Sequence, residues 1–360
     1  MILATTIIEG LSPGLLPLPK DVQHKLQTSS HLSAYTSVYN FQQQVLKDEA
    51  KVIRARVLGF MLLVAPSDTV RAEVVVSIVS CLNDTALYEL GDKYMEFFIR
   101  PCECFTSQGS KTPASSNHPS RPSFDARRKV IKEQIHQAPE NHQQAKDWAL
   151  FRDGYRCVAT KVFDANYSLQ GYHEDYPDTT ELQQYSAAAT NCAHIIPAST
   201  YFKFSKDKKK DYAASVLAVL ERFGYNINKL DGRNIHSMYN VMTLHGLVHD
   251  YFDQLRLWFE TTDTPHRYEI KTLISYESTL RNVSPITTLT TPDPLIPLPD
   301  PKLLALHATC AKVAHLSGAG EYVDRVQRDF DRLDVLAEDG GSSDVLFHAL
   351  YHSASIHVGA

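Results

Sequence analysis

Apolar positions recur at helical spacing from Tyr39 to about Ile99. Phe41, Val45, Leu46, Val52, Ile53, Leu58 and Leu62 fall largely on one face, the stripe that an amphipathic helix buries. Ser67-Asp68-Thr69 offers side-chain oxygens to the unpaired N–H groups of a helix start and predicts a second helix over 70–82. Asn83-Asp84 does the same for a third over 85–99. This layer shows no reactive composition and reads as a docking scaffold. Residues 106–123 break the pattern: six serines, three prolines and no large apolar side chain read as an exposed linker or crossing loop. A helix is expected over 125–148, with a break around Pro139. From Phe151 to about Ile270 short β-like runs mix with helix, and the Pro- and Thr-rich stretch 285–301 reads as extended chain. Helices over 301–316, 319–336 and 343–352, with glycine-containing joints, complete the pattern.

These elements predict an α+β protein with four regions. They are an N-terminal helical region over 1–100, a Ser/Pro-rich linker over 101–124, a central domain with its leading helix over 125–285, and a C-terminal helical region over 286–360. With 43% apolar and 21% charged residues in 360, the chain has the balance of a soluble globular protein with a sizeable core. Its apolar stretches fall far short of the ~20 residues of a membrane helix, so no membrane is expected as a partner. The first residues lack the basic start of a secretory signal and are interrupted by Pro13 and Pro17. The six cysteines are scattered and include no C-x-x-C pair, so neither a zinc ribbon nor a thioredoxin-like site is indicated, and they read as reduced thiols of an intracellular protein, cytoplasmic or nuclear. Cys157 and Cys192 bracket the expected hairpin and read as packing residues.

The chemistry concentrates in two strings, Asn191-Cys-Ala-His-Ile-Ile-Pro197 and Asn240-Val-Met-Thr-Leu-His-Gly-Leu-Val-His-Asp-Tyr-Phe-Asp253. The first is a short β-run stopped by proline, which sets His194 at a strand end. In the second, His249 and Asp253 stand four apart on one face of a helix, where an imidazole and a carboxylate can share one divalent cation. Asn240, just before that helix, can anchor a loop or orient the strand histidine through its amide. A histidine positioned to deprotonate water, facing a metal that stabilises charge on phosphate and leaving oxygen, is a hydrolytic arrangement. His236 and His245 flank Asn240 and could supply a further ligand, but read as ordinary surface histidines. Asp250 points to another helix face and reads as solvated.

Together with Arg152-Asp-Gly-Tyr-Arg-Cys157 upstream, these strings resemble the HNH endonucleases, in the branch common in fungal proteins. The resemblance covers about 120 residues, from Phe151 to Ile270. It implies a ββα-metal core between the helical layers, with His194 as general base, Asn240 holding the loop that orients it, His249 as catalytic metal ligand and Asp253 as the second helical ligand. Where many members carry a metal ligand just before the base, this chain has Ala193. The ligand set is then His249 and Asp253, which suits Mg2+ as the cofactor ahead of Mn2+ or Zn2+, because Mg2+ keeps several waters. The activity implied is cleavage of DNA or RNA to 5′-phosphate and 3′-hydroxyl ends.

Charge refines the substrate. The formal net charge is −5, yet residues 321–344 alone hold eight Asp/Glu against three Arg, so the rest of the chain sums to zero. Residues 126–156 are basic, seven Lys/Arg against four Asp/Glu. Arg152 and Arg156 there, and Lys203, Lys206 and Lys208 interleaved with Tyr201, Phe202 and Phe204, are the candidate contacts to a nucleic-acid backbone and its bases. Asp164, Glu174, Asp175, Asp178 and Glu181 form an acidic insertion that would repel a polyanion on its side. Two alternatives therefore stand beside the nuclease: acid–base chemistry on a small-molecule substrate by the same scaffold, and a catalytically silent binding module.

Overall fold

A computed structural model of the chain describes residues 16–102, 139–169, 187–196, 206–230, 232–273 and 283–332. In chain order these hold α1 (Ser29–Gln44), α2 (Glu49–Leu63), α3 (Asp68–Val79), α4 (Asp84–Tyr94) and α5 (His142–Arg152). Next come β1 (Phe163–Asp164), α6 (Ala165–Leu169), β2 (Ala187–Ala188), β3 (Thr190–His194) and α7 (Lys206–Arg222). The remainder is β4 (Val241–His245), α8 (Gly246–Asp253), β5 (Leu257–Thr261), β6 (Arg267–Thr272), β7 (Ile286–Thr288), α9 (Pro301–Ser317) and α10 (Ala319–Arg332). The architecture is α+β, helices with small sheets. The chain divides into two compact units, one of Met1–Pro101, Thr200–Gly224 and Lys312–Ala360, the other of Cys102–Ser199 and Tyr225–Ala311. The linker expected over 106–123 and the helix expected over 343–352 lie outside the described residues.

In the first unit each early helix begins on a side-chain cap. Thr28, Asp48, Ser67 and Asn83 accept from the N–H three residues on, each worth about 1 kcal/mol. The second cap, Asp48, explains one departure from the expected stripe. The chain leaves α1 at Gln44 and restarts at Asp48, so Leu46 sits in the joint, 57% exposed, rather than on a buried face. Continuous helix does reach the expected end near Ile99, through a π-helical turn at Met95–Ile99. Within α2, buried Arg54 donates from Nε and Nη2 to Asp92 Oδ1 at 3.0 and 2.8 Å. The Tyr88 and Tyr322 rings flank its guanidinium at 5.4 and 5.1 Å. Gly91 permits this approach of α4 to α2, since a Cβ there would stand 2.7 Å from the Arg54 carbonyl oxygen.

The second unit carries the sheets. β3 and β4 pair antiparallel, with Thr190 opposite His245 and His194 opposite Val241. β5, β6 and β7 form an antiparallel sheet in that order, and β1 and β2 a short parallel pair. Asn240 thus does not lead directly into the helix, as the sequence suggests. A five-residue strand intervenes, because Val241-Met-Thr-Leu is apolar enough to be covered on both faces. At the end of α5 the backbone turns left-handed at Gly154 (φ 67°) and Tyr155 (φ 58°). The Tyr155 N–H then reaches the Leu150 carbonyl at 2.8 Å and closes the helix end. The left-handed tyrosine costs roughly 1–2 kcal/mol, offset in part by stacking on Tyr167 at 4.2 Å.

α8 is fastened from below by Phe252, whose ring meets Phe259 at 5.9 Å and stacks on His307 of α9 at 3.8 Å. His307 is 1% exposed, and burial holds its imidazole down to about 3. Below the ordinary histidine range the unfolded chain takes up a proton that the folded chain refuses, so stability falls as pH drops from about 6.5 towards 3. Chemical denaturation at pH 7.5 and 5.0 should show this loss, and His307→Phe, which keeps a ring against Phe252, should lessen it. An equal loss in both proteins would remove His307 as its source.

Candidate functional site

All side chains of the site belong to the second unit. Along β3 successive residues alternate faces, so Cys192 and His194 share one and Ala193 takes the other, where it is 0% exposed. Cys192 packs into a core with Ala145, Trp148 and Ala149 of α5 and Met238 and Val241 beside the strand. Burial pushes its thiol up to about 12. The first turn of α5 brings His142 flat against His194, ring centroids 5.4 Å apart at 22°. A 3₁₀ turn, Gly232–His236, brings His236 to the same ring, its Nδ1 3.0 Å from His194 Nε2. One of the two nitrogens holds the proton and the other accepts it, which leaves His194 one further nitrogen.

His194 is 8% exposed. Burial first, then His142, His236 and His249, push its imidazole down to about 3. Burial also lowers His142, with Lys146 adding to it, and lowers His236, with His142 adding to it. The cluster is therefore uncharged at neutral pH, and His194 is in the form that accepts a proton. A base at about 3 is weak on its own. An anion beside the ring would favour its protonated form and raise it toward the working range.

Asn240, fully buried, anchors this geometry. Its Oδ1 accepts from the Ile196 N–H at 2.9 Å, and its Nδ2 donates to the Ile196 and Ile235 carbonyls, both at 2.9 Å. One amide thus ties the chain just after His194 to the turn carrying His236. Asn240→Ala deletes these three bonds and leaves buried groups unpaired, at roughly 1–3 kcal/mol for each such group. It should lower the unfolding midpoint by well over ten degrees or abolish soluble expression, read by thermal denaturation; an unchanged midpoint would remove Asn240 as the clamp.

On α8, His249 Nε2 lies 3.3 Å from Asp253 Oδ2, with the side chains 21% and 17% exposed. Burial lowers His249 to about 4, with Asp250 opposing and His142 adding to it. Burial, then Asp250, raises Asp253 to about 7. An imidazole without charge and a carboxyl reluctant to ionise, side by side, form a donor set short of positive charge. A divalent cation fits that deficit, because it favours the carboxylate and takes the imidazole lone pair. Asp250 itself is exposed on another face of the helix.

The other sequence-derived positions fare differently. Arg152 is 1% exposed and is no phosphate contact. Its Nε and Nη2 donate to Asp153 at 2.7 and 3.1 Å, Nη2 also to the Val241 carbonyl at 2.8 Å, and Nη1 to the Met238 and Pro297 carbonyls at 2.8 and 3.3 Å. Those bonds account for every N–H a guanidinium has. Arg156 lies over the Phe163 ring at 4.2 Å. Lys203 lies outside the described residues; Lys206 and Lys208 are in the first turns of α7, in the first unit, with side chains outside what is described. Asp164 does not belong to an acidic surface. It is buried, accepting from Thr190 Oγ1 at 2.7 Å and from the Asn166 and Tyr167 N–H groups at 3.0 and 3.2 Å.

Two histidines at the site escape the sequence reading. His236 read as a surface residue and is instead bonded to His194. His142 had no signal at all, since it sits far upstream on a helix and meets β3 only in the folded unit. A ligand atom from each of His142, Cys192 and His194 lies within 4.8 Å of the others, so a cation could be held there as well as at His249 and Asp253.

Residues 157–260 match the family model described as HNH endonuclease, and this stretch is an HNH endonuclease family domain. It contains Cys192, His194, His236, Asn240, His249 and Asp253; His142 and Arg152 lie upstream of it. No curated protein and no solved structure matches the chain.

Proposed function

We propose that this chain is a metal-dependent endonuclease that hydrolyses phosphodiester bonds of DNA or RNA on a ββα-metal core made of β3, β4 and α8. The carrying observation is the pairing of His249 and Asp253 at 3.3 Å on one face of α8, close enough to the strand histidine for His249 to weigh on its proton affinity. In this reading His194 takes a proton from the attacking water on the nitrogen that His236 leaves free. Asn240 keeps the ring in place by fixing Ile196. His249 and Asp253 would hold a divalent ion, with Mg2+ suited to so few protein ligands; when bound it supplies positive charge for the phosphate and the departing oxygen. The water oxygen bonds to phosphorus, the bond to the 3′-oxygen breaks, and that oxygen leaves as a hydroxyl after taking up a proton.

A second reading, acid–base chemistry on a small molecule, draws on one observation. His194 is only 8% exposed, with His142 and His236 against it, a narrower approach than a duplex backbone would favour. Incubation of the purified chain with supercoiled plasmid and Mg2+ or Mn2+ separates the two. Nicking lost in His194→Ala and in His249→Ala is the expected result. Nicking that survives both substitutions contradicts the placement of the site. No nicking, with a divalent ion still bound, favours the small-molecule reading.

A further inference from the structure

The histidine that serves as base in the proposed hydrolysis also belongs to a second set of donors, formed partly from outside the family-matched stretch. Ligand atoms of His142, Cys192 and His194 lie within 4.8 Å of one another. A tetrahedral Zn2+ with Zn–N and Zn–S bonds of about 2.0 and 2.3 Å needs its ligands roughly 3.3–3.8 Å apart. The three side chains therefore need to close by only about an ångström, within the range of small side-chain rotations. Both β3 donors share a face through the period of the strand, and α5 supplies the third from its first turn. His236 completes the arrangement, since its Nδ1 at 3.0 Å from His194 Nε2 is the outer hydrogen bond that a metal-bound histidine ordinarily makes.

We infer that His142, Cys192 and His194 form a second cation site, selective for borderline-soft divalent ions of the Zn2+ and Co2+ type, and that filling it switches off hydrolysis. A thiolate and two imidazoles select such ions against Mg2+, which prefers oxygen ligands and keeps its water. Binding replaces the Cys192 S–H bond with a sulfur–metal bond and releases that proton to solvent. It also occupies the His194 nitrogen that would receive the proton from water. One imidazole lone pair cannot do both, so the two sites oppose each other: a hard ion on His249 and Asp253 supports cleavage, and a soft ion on the other set removes the base. The binding half of this inference stands by itself; the inhibitory half rests on the proposed nuclease activity.

The test uses the full chain, freed of metal with a chelator, and Co2+ as probe. A near-ultraviolet thiolate-to-cobalt absorption band should grow to one Co2+ per chain and vanish on adding Zn2+. It should be absent in Cys192→Ser and greatly weakened in His142→Ala, yet persist in Asp253→Ala. In parallel, Zn2+ is titrated into Mg2+-supported nicking. His142→Ala should need at least ~10-fold more Zn2+ than the unaltered chain for half-inhibition, since even outer-sphere partners of a metal ligand are worth that much in affinity. A band missing from the unaltered chain, or one that survives Cys192→Ser, overturns the site. Equal Zn2+ sensitivity in the two proteins overturns the switch. A band without any nicking leaves this site standing and defeats the nuclease reading; nicking without a band does the reverse.

Discussion

His194→Ala should lower the rate of metal-supported phosphodiester cleavage on the order of 10²–10⁴-fold, the contribution of a positioned general base. Among the described residues the substitution removes a buried ring bonded only to His236 at 3.0 Å and stacked on His142, so its effect should fall on the rate rather than on folding. Single-turnover nicking, with circular dichroism to confirm the fold, reads the loss. Free imidazole supplied to the variant should restore part of the rate, because the space left by the ring lies against two other imidazoles and accepts a third. A His194→Ala protein that cleaves as fast as the unaltered chain would end the role assigned to this residue.

Arg152→Leu should be the most damaging substitution for stability. Removing one partner of a buried ion pair costs about 3–5 kcal/mol, and here the Met238, Val241 and Pro297 carbonyls lose a donor as well. The total approaches the whole margin of a typical domain. Asp153 would keep only the Thr243 N–H, at 2.8 Å, of the partners described for it across the sheet. Arg152→Lys should not rescue, because an ammonium cannot fork to a carboxylate and several carbonyls at once. Insoluble expression, or a large fall in unfolding midpoint, is expected for both. If Arg152→Leu unfolded like the unaltered chain and lost only affinity for nucleic acid, Arg152 would return to the phosphate contacts.

What could be read before folding, and what could not, divides along contact distance. The pairing of His249 with Asp253 follows from the four-residue period of one helix, and the helix starts at Ser67 and Asn83 follow from local hydrogen bonds to backbone three residues away. Such features lie within a single turn of chain. The stripe through Leu46 misled because periodicity does not register a cap: Asp48 restarts the helix and throws Leu46 outward. Val241–His245 stayed hidden as a strand because an apolar run covered on both faces has no alternation to read. The Arg-Asp-Gly-Tyr string announced itself as charge, yet its arginine is spent on carbonyls far along the chain and its glycine on a left-handed helix end. His142 and His236 meet His194 only through tertiary folding, and no spacing rule reaches across such gaps. The candidate site was thus legible in one strand, one helix and the Asn240 amide that holds the chain after His194, and illegible in His142 and His236, which reach His194 from elsewhere in the fold.

The dependence of cleavage on Mn2+ concentration, measured for the unaltered chain and for Asp253→Ala, tests the central claim most directly. Asp253 is one of two side chains proposed to hold the ion, and its loss should raise the Mn2+ required on the order of 100-fold or more, beyond the 10–100-fold that outer-sphere partners command. That displacement, with cleavage recovered at high Mn2+, is the predicted result. Identical Mn2+ curves for the two proteins, or no cleavage by the unaltered chain at any Mn2+ concentration, would contradict it.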